Sequence, residues 1–258
     1  MDKLKAEYFT DPFCSWSWAN EPRYRKLREE FKDQIEWRHR LGGLMARWSP
    51  DFYDPLYDLH GGDAKALAEH QEEVSLENKM PIDVGFWFES PPTSSHPACV
   101  AVKAVGLQGA DLEDRYLRRV REAILTEKRP ADRPADLLSL ANELPGIDLD
   151  RLAREIDGEA AKKAFQEDWE ATRRPVPEAK DTKVTEGRLR YSFPTLILSN
   201  DFREMVSGAN GNHAEGRYRV LDGDDPYEAY LKAIQELDPT IRRYPPPDVE
   251  SFIRKYRR

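Results

Sequence analysis

The residues with the clearest chemical potential lie near the start of the chain, where Cys14 follows the turn signal Asp11-Pro12. Apolar residues recur at helical spacing through residues 24–31, which predicts that a helix begins close to Cys14. A cysteine at a helix N-terminus meets unpaired N–H groups and the positive end of the helix dipole, and both lower its pKa. Since the thiolate is the nucleophile of disulfide exchange, this position predicts thiol–disulfide chemistry at Cys14. A buried, inert cysteine at a strand–helix junction is the alternative.

The residue three positions after Cys14 is Ser17, so the sequence holds Cys-x-x-Ser in place of two neighbouring thiols. A dithiol site resolves a mixed disulfide internally, whereas a single thiolate attacks a substrate disulfide and then requires a second thiol. The Ser17 hydroxyl can favour the thiolate by hydrogen bonding, while a nearby carboxylate such as Asp11 would raise the pKa of Cys14. The other cysteine, Cys99, lies on an apolar helix face and is predicted to be a packing residue that does not resolve Cys14. Net dithiol oxidation by Cys14 and Ser17 alone is therefore excluded.

Two strand patterns flank the cysteine, over residues 4–10 and 35–41, with the helical pattern between them. This order predicts two parallel strands in one sheet. Pro22 interrupts the helical pattern and should bend it or mark a local break. Strand patterns return at residues 193–198 and 202–206, which we expect to pair as an antiparallel hairpin before a final helix.

The middle of the chain, residues 46–182, carries helical patterns punctuated by glycine and proline. The order is thus βαβ, a helical block, then ββα. This order predicts an α/β protein with a thioredoxin-like fold and a large all-helical insertion. We expect residues 1–45 and 183–258 to form the thioredoxin-like domain, and residues 46–182 to form the inserted helical domain.

Pro194 stands at the start of the apolar strand pattern near the C-terminal end. In a thioredoxin fold, the strand opposite the active cysteine begins after a cis proline, so a cis Phe193–Pro194 peptide would direct backbone polar groups towards Cys14. An ordinary trans proline at a strand start is the commoner arrangement. The joint positions of the cysteine, the proline and the strands favour the cis form here.

Aromatic residues next to Cys14 are candidates for a binding rim. Trp16 is expected to be partly exposed, where it can contact an unfolded chain or a ligand, and Trp18 is expected to pack inward. His96 is a candidate for facing the cleft, although a lone histidine more often has a structural role. The candidate catalytic residues are Cys14, Ser17 and Pro194, and the candidate substrate-binding residues are Ser15, Trp16, Phe193 and His96.

The charge balance excludes several classes of function. The net charge is −8 and the sequence pI is near 5.3, which argues against a nucleic-acid surface because such a surface needs clustered cations. No stretch approaches the roughly 20 apolar residues that span a bilayer, and residues 1–7 lack the apolar segment of a secretory signal. The few cysteines and scattered histidines predict no metal site. We therefore expect a cytoplasmic protein with neither a nucleic-acid nor a membrane partner.

Three segments resemble a known family. Residues 11–19, Asp-Pro-Phe-Cys-Ser-Trp-Ser-Trp-Ala, resemble the active-site region of DsbA-like thioredoxin-fold proteins. Residues 91–109, which begin Pro-Pro-Thr-Ser-Ser-His-Pro-Ala, and residues 193–196, Phe-Pro-Thr-Leu, are also similar to that family. Together they look most similar to a cytosolic branch that includes predicted disulfide isomerases and ClpXP adapters of the YjbH/SpxH type. The sequence departs from the usual Cys-x-x-Cys motif at Ser17.

The resemblance leaves three functions open. The first is a monothiol disulfide isomerase or reductase acting through Cys14 on a protein or small-thiol disulfide, with glutathione as the candidate thiol co-substrate and no other cofactor. It requires an exposed Cys14 thiolate at neutral pH. The second is a non-catalytic adapter with a protease or regulator as its partner. The third is a glutathione-dependent isomerase or transferase of the kappa type, in which a serine stands near the position of Cys14.

Overall fold

The strand–helix–strand unit predicted at the N-terminus is present in the structure, a computed structural model. It describes residues 3–48, 53–54, 59–60, 64–185, 187–200, 218–248 and 250–251. In chain order, the elements of these residues are β1 (Leu4–Thr10), α1 (Ser15–Ala19), α2 (Glu21–Phe31), β2 (Ile35–Leu41), β3 (Tyr53–Asp54), β4 (Leu59–His60), α3 (Ala64–Asn78), α4 (Phe86–Glu89), α5 (His96–Gly106), α6 (Ala110–Glu127), α7 (Pro134–Ala141), α8 (Leu149–Glu155), α9 (Glu159–Thr172), β5 (Thr182–Thr185), β6 (Arg188–Tyr191), β7 (Thr195–Ser199), β8 (Tyr218–Asp222) and α10 (Tyr227–Leu237).

A four-stranded mixed sheet, in the order β2-β1-β7-β8, forms the centre of the fold. Strand β1 runs parallel to β2, with Leu4 opposite Ile35, and antiparallel to β7. Strand β7 is buried throughout because it lies inside the sheet, which explains its near-continuous apolar sequence. The order and directions of these strands confirm the predicted thioredoxin-like fold.

The predicted break in the first helical pattern is also present. Helix α1 ends at Ala19 and α2 begins at Glu21, with Asn20 between them. Pro22 lies in the first turn of α2, where its missing N–H has no helical partner to lose. The short helix α1 therefore carries the cysteine site, while α2 packs against the sheet through Tyr24 and Leu27.

The partner of strand β7 differs from the predicted one. The expected hairpin strand, residues 202–206, lies outside the described residues. The described antiparallel partner is β8, with Thr195 opposite Asp222 and Ser199 opposite Tyr218. A second ladder that the sequence patterns did not predict joins β5 to β6 just before Phe193.

The helical segment shares its apolar core with the residues around the cysteine. Phe13, Trp18 and Leu41 belong to the same buried cluster as Cys99 and the inner faces of α5 and α6. Strands β3 and β4, which precede α3 in the sequence, form a short antiparallel ladder. No helix in the described ranges is long and apolar enough to cross a bilayer. The exact division into two domains remains a prediction.

Buried ion pairs also join the helical segment to the sheet and to α2. Their side chains are almost entirely enclosed, so each charge depends on its partner for compensation. Three carboxylates organise this buried network: Glu21 binds Arg25 and Arg121, Asp114 binds Arg25, Arg28 and His39, and Asp168 binds Arg40 and Lys103.

Candidate functional site

Cys14 is the N-cap residue of α1, in an extended backbone conformation. Its sulfur accepts a hydrogen bond from the Ser17 backbone N–H, with Sγ and N 3.4 Å apart. Its thiol donates to the carbonyl oxygen of Phe193 at 3.6 Å. The peptide bond between Phe193 and Pro194 is cis. The sulfur therefore lies between the first turn of α1 and the loop that precedes β7, as the fold order predicted.

The environment of Cys14 opposes the thiolate. The residue is only 6% exposed, and this burial raises the pKa of its thiol. The Ser17 side chain and backbone N–H act to lower that pKa, as does Arg121, while the Asp11 carboxylate adds to the increase. Burial outweighs the helix N-terminus, so the predicted lowering of the Cys14 pKa is wrong in direction.

Ser17 is fully buried beside the sulfur. Its backbone N–H already binds the sulfur, and its hydroxyl, which lies beside Cys14, forms no hydrogen bond with any other described residue. This hydroxyl is thus available to donate to a Cys14 thiolate. Because Ser17 has no thiol, it cannot close an internal disulfide with Cys14.

A groove of about 540 Å³ opens beside the cysteine site. Trp16, Phe193 and Pro194 contribute its apolar surface, and Trp16 is half-buried while Trp18 is buried, as predicted. The loop from β8 to α10 closes one side of the groove. In this loop the Gly223 N–H donates to the Pro194 carbonyl oxygen at 3.1 Å.

Gly223 is required for this close approach. An added Cβ there would lie 3.0 Å from the side-chain nitrogen of Asn20 and 3.1 Å from the ring of Pro194. The Arg23 guanidinium also donates to the Gly223 carbonyl oxygen. The loop is therefore held against the cis proline, and its flanking carboxylates have defined positions at the groove.

Four aspartates line this side of the groove, and two of them are neutralised. Lys180 binds Asp225 and Lys183 binds Asp181, each at 2.7 Å. The remaining two carboxylates, Asp222 and Asp224, form no ion pair with any residue that the structure describes. Burial and the neighbouring Asp225 raise the pKa of Asp222. Sequence reasoning missed these groove residues, although the run Asp-Gly-Asp-Asp after a strand pattern is a visible turn signal.

Two predicted binding residues lie away from the groove. Ser15 is buried in the first turn of α1 and is not among the lining residues. His96 begins α5, stacks edge-on against Phe165 at 5.1 Å between ring centroids, and lies against Gly43. The structure thus brings together Cys14, Ser17, Trp16, Phe193 and Pro194, and leaves Ser15 and His96 outside the groove.

Cys99 is enclosed in the core of the helical segment, with no exposed surface. Its thiol donates to the Asp11 carboxylate at 3.5 Å. Burial, followed by the charge of Asp11, raises the pKa of Cys99 well above its ordinary value. It is therefore a packing thiol here, as the apolar helix pattern predicted. Within the described ranges, no three His, Cys, Asp or Glu side chains come together as a metal set.

A thioredoxin fold with a cysteine at the start of its first helix and a cis proline opposite defines a DsbA-like, thiol–disulfide oxidoreductase type of fold. The thioredoxin family model matches residues 8–207, so the chain belongs to the thioredoxin family. The cytosolic disulfide reductase DsbM from Pseudomonas aeruginosa superposes with a TM-score of 0.62 at 20% identity, covering 90% of this chain and 99% of DsbM. At that identity the likeness shows the fold alone.

Curated relatives place the chain in the branch predicted from its motifs. The ClpXP adapter protein SpxH of Halalkalibacterium halodurans is 27% identical over 260 residues, which cover 98% of this chain and 74% of the adapter. The SpxH protein of Bacillus subtilis is 27% identical over 256 residues, with the same two coverages of 98% and 74%. The resemblance to DsbA-like proteins of the SpxH type is therefore confirmed.

Proposed function

We propose that this chain is a polypeptide-binding adapter of the thioredoxin fold, which holds another protein in the groove beside Cys14 and presents it to a protease. The observation that carries this proposal is the burial of Cys14, which is only 6% exposed and has Ser17 in place of a second thiol. Redox turnover needs an accessible thiolate and a resolving thiol. The names of the ClpXP adapter relatives support the same reading.

The protonation of Cys14 argues against rapid thiol exchange. Burial holds the pKa of the Cys14 thiol above its ordinary value, so the neutral thiol predominates at neutral pH. The small exposed fraction of Cys14 limits access for a substrate disulfide as well. Cys99 cannot take the resolving role in this arrangement, because its thiol is enclosed and turned to Asp11.

The groove is suited to an extended polypeptide. Trp16, Phe193 and Pro194 offer apolar contact to the side chains of such a segment. The carboxylates of Asp222 and Asp224, which form no ion pair with the described residues, favour a segment that carries a basic side chain. A groove with both apolar and acidic surfaces is suited to recognising the side chains and charge of a polypeptide, and not a disulfide bond.

Degradation of a captured cargo tests the adapter function directly. Proteins that co-purify with the tagged chain would be identified, and each would be incubated with purified ClpXP, with and without the chain. We expect the chain to accelerate degradation of its cargo, and Cys14→Ser to accelerate it within about twofold of the unmodified chain. Loss of the acceleration in Cys14→Ser, or no acceleration by either form, would contradict the proposal.

Monothiol disulfide exchange is the second candidate, favoured by the buried, unpartnered Ser17 hydroxyl beside the sulfur. The Cys14 thiolate would attack a substrate disulfide, form a mixed disulfide and release one substrate thiolate. Glutathione thiolate would then attack that mixed disulfide, release Cys14 and leave the other substrate sulfur bonded to glutathione. Acceleration of peptide-disulfide reduction in glutathione buffer, abolished in Cys14→Ser, would establish this activity.

A further inference from the structure

We propose that Asp11 is a positioning residue whose buried carboxylate connects the cysteine loop to the start of helix α5 and, by its charge, disfavours a thiolate at Cys14. The inference concerns the thiol itself and does not depend on what the groove binds. It can be tested with the purified chain alone, so its failure would be distinct from failure of the adapter proposal.

The Asp11 carboxylate accepts four hydrogen bonds in a site with no exposed surface. It does so at the point where three separate segments of the chain meet, and its own backbone oxygen accepts from the Cys14 N–H at 3.3 Å. The four donors are the Phe13 N–H at 2.9 Å, the Leu44 N–H at 2.7 Å, the Ser95 hydroxyl at 3.2 Å and the Cys99 thiol at 3.5 Å.

Two of these donors, Ser95 and Cys99, lie in residues 91–109, the second segment that resembles the family. Ser95 donates its hydroxyl to Asp11, accepts the Met45 N–H on that same oxygen, and donates its own N–H to the Met45 carbonyl. In the same segment the Thr93 N–H and hydroxyl both donate to the Asp132 carboxylate at 2.7 Å. Residues 91–109 therefore connect the helical segment to the loop that carries Cys14 through hydrogen bonds to Asp11.

Among the described residues, no cationic side chain forms an ion pair with Asp11. The Arg121 guanidinium donates to Glu21 and to the Thr10 hydroxyl. The four donors are neutral groups, so they stabilise the Asp11 carboxylate but do not cancel its negative charge. A second negative charge on Cys14 would be buried close to that field, with only Arg121 and the Ser17 dipoles to oppose the repulsion.

The direction of the effect follows from the signs of the charges. A carboxylate disfavours ionisation of a neighbouring thiol, so removal of its charge must lower the pKa of Cys14. Asp11→Asn keeps one acceptor oxygen and nearly the same shape. Burial would still raise the Cys14 pKa in this variant, so the thiolate fraction at neutral pH should rise by no more than about tenfold.

Alkylation of Cys14 from pH 6 to pH 11, with the label assigned by peptide mass spectrometry, measures this directly. In Asp11→Asn we expect the midpoint to fall and the rate at pH 7 to rise about two- to tenfold. Asp114→Asn removes a buried charge from the other network and should leave the Cys14 midpoint in place. An unchanged or higher midpoint in Asp11→Asn would overturn the proposal.

Ser95→Ala separates the charge of Asp11 from simple loosening of the loop. It removes one hydrogen bond from Asp11 but keeps the carboxylate charge, so the Cys14 midpoint should stay the same or rise. A lower midpoint in Ser95→Ala would mean that loosening alone exposes the thiol, and would overturn the proposal. If Asp11→Asn does not fold, a lower midpoint in Ser95→Ala would still overturn the proposal.

Discussion

The thiol of Cys14 donates a hydrogen bond to the carbonyl oxygen of Phe193, a residue 179 positions further along the chain, with Sγ and O 3.6 Å apart. A hydrogen bond made by the neutral form of an acid favours that form. The Phe193 ring is seated against the backbone of Gly42, where an added Cβ would lie 1.9 Å from the ring atom Cζ. The residue that accepts this hydrogen bond is therefore packed against a glycine just after β2.

Gly42→Ala should disturb the cysteine site and destabilise the fold. The new methyl group cannot occupy the position of the Phe193 ring, so the ring and its carbonyl must move away from Cys14. We expect a loss of about 1–3 kcal/mol in the free energy of unfolding, typical of overpacking, and faster alkylation of Cys14. Chemical denaturation and thiol labelling measure the two effects.

Gly85→Ala is the matched control for this substitution. Its added Cβ would meet only side-chain atoms, at 3.0 Å or more. It should change stability less than Gly42→Ala and leave Cys14 alkylation unaltered. Equal effects of the two substitutions on stability and on Cys14 alkylation would contradict the packing of the Phe193 ring against Gly42.

Removal of the free carboxylates at the groove should weaken binding of a basic peptide. Asp222→Asn combined with Asp224→Asn removes two charges, each worth about 0.2–1 kcal/mol against a cation at an exposed site. The dissociation constant of an unstructured Lys-rich peptide should therefore rise about two- to thirtyfold, as measured by fluorescence anisotropy. The difference should shrink at high salt, because screening weakens exposed charge pairs.

Asp150→Asn combined with Asp157→Asn controls for the overall change in charge. Both aspartates are exposed on the helical segment, outside the residues that line the groove. This pair changes the net charge by the same amount and should leave peptide affinity nearly unchanged. An equal loss of affinity in both double variants would show that the peptide responds to net charge and not to the groove.

The buried ion pairs should make the fold acid-sensitive. Burial acts to raise the pKa of Glu21 and Asp114, but the guanidiniums around them hold both pKa values below the ordinary range. A depressed folded-state pKa gives stability that is present above the unfolded value, near 4, and is lost as pH falls through the folded value. Melting temperatures should therefore fall steadily below about pH 5.

Asp114→Asn tests the origin of this acid sensitivity. It removes one of the depressed groups, so the fall in melting temperature between pH 5 and pH 3 should be shallower than in the unmodified chain. The unmodified and variant chains would be followed by circular dichroism in matched ionic strength. If melting temperature falls with pH equally in both chains, other carboxyl groups are responsible for the acid sensitivity.

Arg25→Met should be strongly destabilising. Arg25 is almost fully buried and binds both Glu21 and Asp114, so its loss leaves two enclosed carboxylates with fewer compensating charges. Removal of one partner from a buried ion pair costs about 3–5 kcal/mol, which chemical denaturation would measure. Lys65→Met, which breaks the exposed Lys65–Glu69 pair, should cost less than about 1 kcal/mol.

Local patterns were sufficient for several elements. Strands β1 and β2 have the predicted bounds because alternating spacing of apolar residues reflects a face that is buried wherever the strand packs. The break between α1 and α2 followed from Pro22, and the position of Cys14 at a helix start followed from the turn signal before it. These features depend on neighbouring residues in the chain, so the sequence alone determined them.

Contacts between distant segments decided the rest. Residues far apart in sequence are joined by the pairing of β7 with β8, by the carboxylates of the β8–α10 loop at the groove, and by three of the four donors around Asp11. The protonation of Cys14 is the clearest case. Its helix position favours a thiolate, but the enclosing atoms and the Phe193 carbonyl reverse that preference. Desolvation depends on the whole packed environment of a group, which local sequence does not specify.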